Sequence, residues 1–183
     1  MRIIAGAHKG RLLSFPSHIR PTQDKVRQAI FNVLSGVIKG SRVLDLFSGS
    51  GAMGLESLSR GAKMVYFIDE DKRCVSIIRR NLRQMGEDGR QGVFCYVNDA
   101  FRALKILSKK KVRFDCVFID PPYHKDLAKK ALKVIALGGI LTPLGLVVVE
   151  HAKTDALDGA EEAYTLIKKM KYGDITVSVF QMR

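Results

Sequence analysis

Arg42-Val43-Leu44-Asp45-Leu46-Phe47-Ser48-Gly49-Ser50-Gly51-Ala52-Met53-Gly54 is the stretch that decides the fold. Residues 42–47 are a short apolar run of the kind that forms a buried parallel strand. It empties directly into Gly49, Gly51 and Gly54, which fit the spacing G-x-G-x-x-G. Asp69 follows Gly49 by 20 positions and closes the next apolar run, residues 63–68. A doubly wound sheet places at that point the carboxylate that binds ribose hydroxyls. The pattern predicts a nucleoside-containing cofactor at the carboxyl ends of the strands.

Outward from that stretch, residues 93–97, 114–119 and 144–149 repeat the buried-strand pattern, with helical segments between them. Asp71 is placed to cap a helix that ends at Met85, with Val75, Ile78 and Leu82 on one face and Gly86 as its stop. Asp99 is placed to cap a shorter helix carrying Phe101, Leu104 and Leu107. A further helix is predicted over residues 125–137, with Leu127, Ala131, Val134 and Ile135 inward and Gly138 as its stop. Such alternation predicts an α/β fold, a parallel sheet with helices on both faces. Residues 164–170 and 175–182 read as a terminal hairpin, so one strand must run antiparallel to the rest.

At the other end, residues 2–6 and 11–15 read as a hairpin bent at Ala7-His8-Lys9-Gly10. Thr22 follows as the cap of a helix whose Val26, Ala29, Ile30, Val33 and Leu34 pack on the main domain. The chain thus divides into an N-terminal β-hairpin extension, residues 1–21, and an α/β domain, residues 22–183.

The 183 residues carry 31 Lys and Arg against 18 Asp and Glu, a net charge of +13, which points to a polyanionic partner such as nucleic acid. The positive charge is spread along the chain and not gathered on one amphipathic helix, which disfavours a membrane surface. Through Ala29 the cations Arg2, Lys9, Arg11, Arg20, Lys25 and Arg27 face Asp24 alone. Arg2, Lys9, Arg11 and Arg20 are the candidate phosphate contacts. The most apolar window, residues 131–149, contains Lys133, Gly138-Gly139 and Pro143, and reads as helix, turn and strand. Cys74, Cys95 and Cys116 are isolated in apolar surroundings, as reduced core thiols of a cytoplasmic protein are. Met1-Arg2-Ile3-Ile4-Ala5-Gly6 has no leader pattern, and no metal-ligand spacing occurs, so neither membrane nor metal is expected.

Charge distinguishes the cofactors. A dinucleotide would set its pyrophosphate against the glycine loop, where Asp45 would repel it. The sulfonium and ammonium of S-adenosylmethionine would be favoured there instead. Asp45 is equally able to cap the loop, and Asp99, after Asn98, is placed either to cap its helix or to meet an adenine amine. The fourth strand ends in Asp120-Pro121-Pro122-Tyr123. This tetrad offers acceptors and a stacking face with no N–H from either proline, which suits a planar base with an exocyclic amine.

Asp45-Leu46-Phe47-Ser48-Gly49-Ser50-Gly51 and Asp120-Pro121-Pro122-Tyr123 together resemble the motif pair of S-adenosylmethionine-dependent amino methyltransferases. Arg2-Ile3-Ile4, Lys9-Gly10-Arg11, Arg20-Pro21-Thr22, the run from Val26 to Asn32, the run from Gly54 to Ala62 and Tyr172-Gly173-Asp174 are similar to the RsmD family over essentially the whole chain. The resemblance implies a seven-stranded Rossmann-like sheet and a methyltransferase acting on guanine N2 of small-subunit ribosomal RNA; a monomer working in the cytoplasm on that RNA, within a small-subunit particle, is expected. It further implies that Asp45, Phe47, Gly49, Ser50, Gly51, Asp69 and Asp99 serve S-adenosylmethionine. Asp120, Pro121, Pro122 and Tyr123 then hold the base. The alternatives are a DNA or RNA adenine-N6 methyltransferase, which shares the tetrad, and a nicotinamide-dependent oxidoreductase, which leaves the prolines and the positive charge without a role.

Overall fold

A computed structural model describes residues 1–16, 23–122, 126–155, 157 and 161–183. Arg20, Thr22 and Tyr123 lie outside the described residues. The strands are β1 (Arg42–Leu46), β2 (Met64–Asp69), β3 (Val93–Val97), β4 (Phe114–Ile119), β5 (Leu141–Ala152), β6 (Tyr164–Tyr172) and β7 (Ile175–Met182). They form one sheet in the order β3-β2-β1-β4-β5-β7-β6. Neighbours from β3 through β5 are parallel, and β7 pairs antiparallel with both β5 and β6. The helices are α1 (Asp24–Val33), α2 (Ala52–Ser59), α3 (Lys72–Met85), α4 (Ala100–Lys109) and α5 (Leu127–Leu137).

Alternate residues of each strand serve opposite faces of the sheet. Val43, Val65, Phe67, Cys116, Phe118 and Val148 pack with residues of α1, α2 and α3. Leu44, Leu46, Ile68, Val117, Val147 and Val149 pack with α4 and α5. Because both faces are covered, the strands read as unbroken apolar runs. Helix α3 is capped by Asp71, which accepts from the Arg73 N–H, and it stops at Gly86 with φ +73°. The contact between α2 and β2 is close enough that a Cβ on Gly54 would come within 2.2 Å of the Phe67 ring.

Several boundaries differ from the sequence expectation for identifiable reasons. β1 ends at Leu46, because Phe47 already has φ +60°. β5 runs 12 residues, since β7 pairs with it as far as Ala152. Helix α5 starts at Leu127 and buries Ala128, Ala131, Leu132 and Ile135, so Leu127 and Val134 are only half-buried. Gly138 stays in the right-handed region, and Gly139, with φ +59°, makes the turn. The N-terminal hairpin is reduced to one antiparallel bridge, Arg2 to Leu12, flanked by Ile3 N–H to Arg11 O at 2.9 Å and Leu13 N–H to Met1 O at 2.9 Å.

That N-terminal segment is held by a buried carboxylate. Glu56, in the middle of α2 and fully buried, accepts from the Ile4 N–H at 2.8 Å, the Ala5 N–H at 3.0 Å and Arg60 Nε at 2.8 Å. Arg27 of α1 lies 3.7 Å from the same carboxylate and donates to the Arg2 carbonyl. Arg27 is therefore 1% exposed and does not belong to the cationic patch in which composition placed it. Ile3 and Leu13 join the same apolar layer as α1 and α2. Truncating Glu56 would leave the Arg27 charge buried and two backbone donors without their acceptor. Glu56→Ala should cost about 3–5 kcal/mol in urea unfolding, with amide exchange rising first at Ile4 and Ala5.

Candidate functional site

The chain must turn sharply to pass from β1 to α2, and the cleft begins there. Phe47, Gly49 and Gly51 have φ of +60°, +52° and +76°. Glycine takes this region without strain, whereas Phe47 reaches it with its ring edge-on to Phe101 at 6.3 Å. The Ser48 N–H and hydroxyl both donate to the Ile68 carbonyl, at 2.9 and 2.8 Å, and the Gly51 N–H donates to Ser48 O at 2.7 Å. Asp69, at the end of β2, accepts from the Gly49 N–H at 2.7 Å and from the Asp71 N–H at 2.9 Å. The acid 20 residues downstream thus holds the glycine loop in shape.

A cleft of about 990 Å³ opens over this loop, across the carboxyl ends of the parallel strands. Of the expected cofactor residues, Phe47, Gly49, Ser50, Asp69 and Asp99 line it. Asp45 and Gly51 sit behind the loop. Gly51 is the left-handed N-cap of α2, where a Cβ would meet Ile78 at 2.8 Å. Asp45, 4% exposed, accepts from the Gly54 N–H at 2.9 Å. Burial pushes its carboxyl up to about 8, opposed by the Gly54 N–H and reinforced by the charge of Asp69. Asp99 both borders the cleft and caps α4, accepting from the Arg102 N–H at 2.8 Å.

Asp120, Pro121 and Pro122 border the same cleft from the end of β4. Asp120 is open to the water of the cleft yet ringed by protein. Desolvation pushes its carboxyl above the usual range, and the charges of Glu150 and Asp45 push it the same way. Its own contact with water keeps that displacement smaller than a sealed carboxyl would show.

Residues the sequence reading passed over complete the wall. Glu150 follows the apolar run 144–149 as Asp120 follows the run 114–119, so the same rule, an acid closing an apolar run, would have found it although β5 continues to Ala152. Gln23 and Lys25 of the α1 region and Tyr172 and Gly173 of the last hairpin also line the cleft. They arrive through long-range packing, the hairpin because β7 pairs with β5 and turns back beside its carboxyl end. Among the described lining residues the acids Asp69, Glu70, Asp71, Asp99, Asp120 and Glu150 face one cation, Lys25. An acidic cleft on a chain of net charge +13 repels a pyrophosphate and favours a cationic cofactor.

The cations Arg2, Lys9 and Arg11 are exposed on the N-terminal segment. That segment reaches the glycine loop, where the Ser50 hydroxyl contacts Met1 Sδ at 4.0 Å. Among the described residues no group of three or more His, Cys, Asp or Glu is arranged to hold a metal ion, and no helix is long and apolar enough to cross a membrane.

The elevated Asp45 carboxyl predicts a pH effect of definite sign. A carboxyl whose folded pKa lies above its unfolded one binds more protons when folded, so stability falls as pH rises from about 4 towards 8. Asp45→Asn keeps an oxygen for the Gly54 N–H and removes the titration. In calorimetry of the cofactor-free protein, the Tm of the variant relative to the wild type should climb between pH 5 and pH 9.

The Haemophilus influenzae ribosomal RNA small subunit methyltransferase D is 34% identical over 183 residues, covering 99% of this chain and 93% of that protein. Its Escherichia coli namesake is 32% identical over 99% of this chain and 89% of that protein. The solved structure of yhhF from Escherichia coli superposes with a TM-score of 0.89 at 30% identity, covering 100% of this chain and 98% of that one. The fold alone extends to the Thermus thermophilus 16S rRNA N2 G1207 methyltransferase RsmC, solved with AdoMet and guanosine, at a TM-score of 0.73 and 21% identity over 92% of this chain and 45% of that one. The family model described as Conserved hypothetical protein 95 matches residues 1–181. With this strand order, this glycine loop and relatives matched over nearly their whole length, the chain belongs to that family, the RsmD family of S-adenosylmethionine-dependent methyltransferases.

Proposed function

We propose that the protein methylates the exocyclic N2 amine of a guanine in small-subunit ribosomal RNA. The observation that carries this reading is the acid-lined cleft beside Asp120-Pro121 in a chain of net charge +13. The names of the Haemophilus influenzae and Escherichia coli relatives support the substrate class.

S-adenosylmethionine supplies an electrophilic methyl group on its sulfonium. Gly49 and Ser50 border its aminoacyl part, with Asp45 and Gly51 shaping the loop from behind. Each oxygen of Asp69 takes one backbone N–H and keeps a second lone pair for a ribose hydroxyl. Asp99 faces the adenine amine, and Phe47 and Phe101 supply apolar wall.

An exocyclic guanine amine is a weak nucleophile, because its lone pair is delocalised into the ring. The Asp120 carboxylate and the Pro121 carbonyl accept its two hydrogens, which favours a pyramidal nitrogen and stabilises the charge that develops there. Neither Pro121 nor Pro122 has an N–H to compete for that carboxylate. Tyr123, by its place in the tetrad, stacks on a base drawn out of its neighbours. Arg2, Lys9, Arg11 and Arg20 grip phosphates, so that residues 1–21 position the RNA and residues 22–183 carry the chemistry. The protein works as a monomer in the cytoplasm, on the small-subunit particle or its RNA.

Small subunits and their free RNA, incubated with labelled S-adenosylmethionine and digested to nucleosides, should yield N2-methylguanosine by mass spectrometry. N6-methyladenosine would move the reading to adenine, and no methylated nucleoside would overturn it. Asp120→Ala should lower transfer by at least about 100-fold while cofactor affinity stays within about twofold. Raising salt from about 50 to about 200 mM should weaken RNA binding by at least about tenfold and leave cofactor binding nearly unchanged.

A further inference from the structure

Asp120 follows the last residue of β4, and Glu150 lies in the neighbouring β5, which runs on beside β7 to Ala152. β4 and β5 are parallel and in register through Ile119 opposite Val149, and the residue that follows each member of that pair is one of these two acids. The matched pair Ile119 and Val149 sits about 4.8 Å apart across the two strands, so the acids that follow start from neighbouring backbone positions. Both acids line the cleft, and Glu150 is 8% exposed. If Asp120 holds an exocyclic amine, Glu150 stands beside the ring atom next to that amine.

We infer that Glu150 accepts the N1–H of the target guanine and thereby selects guanine over adenine. The inference rests on the guanine reading above. Guanine presents three hydrogens on one edge, two on N2 and one on N1. Asp120 and the Pro121 carbonyl take the first two, and Glu150 takes the third. Adenine presents a bare lone pair at N1, which a carboxylate repels. A carboxylate has four acceptor positions, so Glu150 can accept a ring N–H besides the contacts it makes within the protein. The charge of Glu150 raises the Asp120 carboxyl, so the two are within electrostatic reach of one another. A guanine edge brings hydrogen-bond donors to that crowded pair of acids.

The test separates Glu150 from the reaction itself. Binding of guanosine and of 2-aminopurine riboside, which keeps the amine but has a bare N1, is measured by calorimetry in the presence of S-adenosylhomocysteine. The wild-type protein should prefer guanosine by at least about tenfold. In Glu150→Gln the amide N–H can donate to the bare N1, so this preference should collapse or invert. On deproteinised small-subunit RNA, Glu150→Gln should lose at least about tenfold in kcat/KM, and Glu150→Asp should recover part of it. Cofactor affinity and Tm should match the wild type in both variants. Absence of a guanosine preference in the wild-type protein, by equal binding or by none, overturns the inference, as does a preference retained in Glu150→Gln. A wild-type protein that methylates no RNA overturns the functional reading instead. Methylation of guanine together with a retained preference in Glu150→Gln removes only the role of Glu150.

Discussion

The carboxylate of Asp69 against the N–H of Gly49 is the contact on which the site depends. A strand that must become a helix within five residues exposes backbone donors at a tight bend, and those donors need acceptors. Asp69 supplies one at Gly49, Asp45 supplies another at Gly54, and the Ile68 carbonyl takes both donors of Ser48. Three departures into positive φ, at the alternate residues 47, 49 and 51, are thereby tied to the ends of β1 and β2. The floor of the cleft is rigid because it is an extension of the sheet.

Charge is segregated on this protein in a way its total conceals. Arg2, Lys9 and Arg11 are exposed on the N-terminal segment, while residues at or near the carboxyl ends of β2, β3, β4 and β5 bring carboxylates to the cleft. The acids suit a cationic cofactor, and the exposed cations lie apart from them. The buried Glu56 links the two regions, holding the N-terminal segment and Arg27 on the helix whose first turn carries the glycine loop. The N-terminal segment and the glycine loop are thus both tied to one helix, α2.

The central strands β1 and β4 were legible because they are buried on both faces, and β3 and β4 have the bounds their apolar runs predict. Helix α3 was equally legible, as Asp71 and Gly86 end it by local hydrogen bonding and backbone freedom. Errors fell where a distant partner sets the end: β5 is lengthened by its pairing with β7, and the first hairpin shrinks to one bridge because Glu56 takes the Ile4 and Ala5 donors. Arg27 was misread for the same reason, since composition counts a charge without seeing the carboxylate that buries it.

The sequence by itself determined the α/β alternation, the glycine loop and the acids that close the strands, because local propensity and spacing carry those signals along the chain. The tertiary structure alone decided that Asp45 works from behind the loop, that Tyr172 and Gly173 join the wall, and that Glu150 stands next to Asp120. Strand order makes these neighbours. Residues 30 positions apart become adjacent when parallel strands pair in register, and no local pattern records which strand lies beside which.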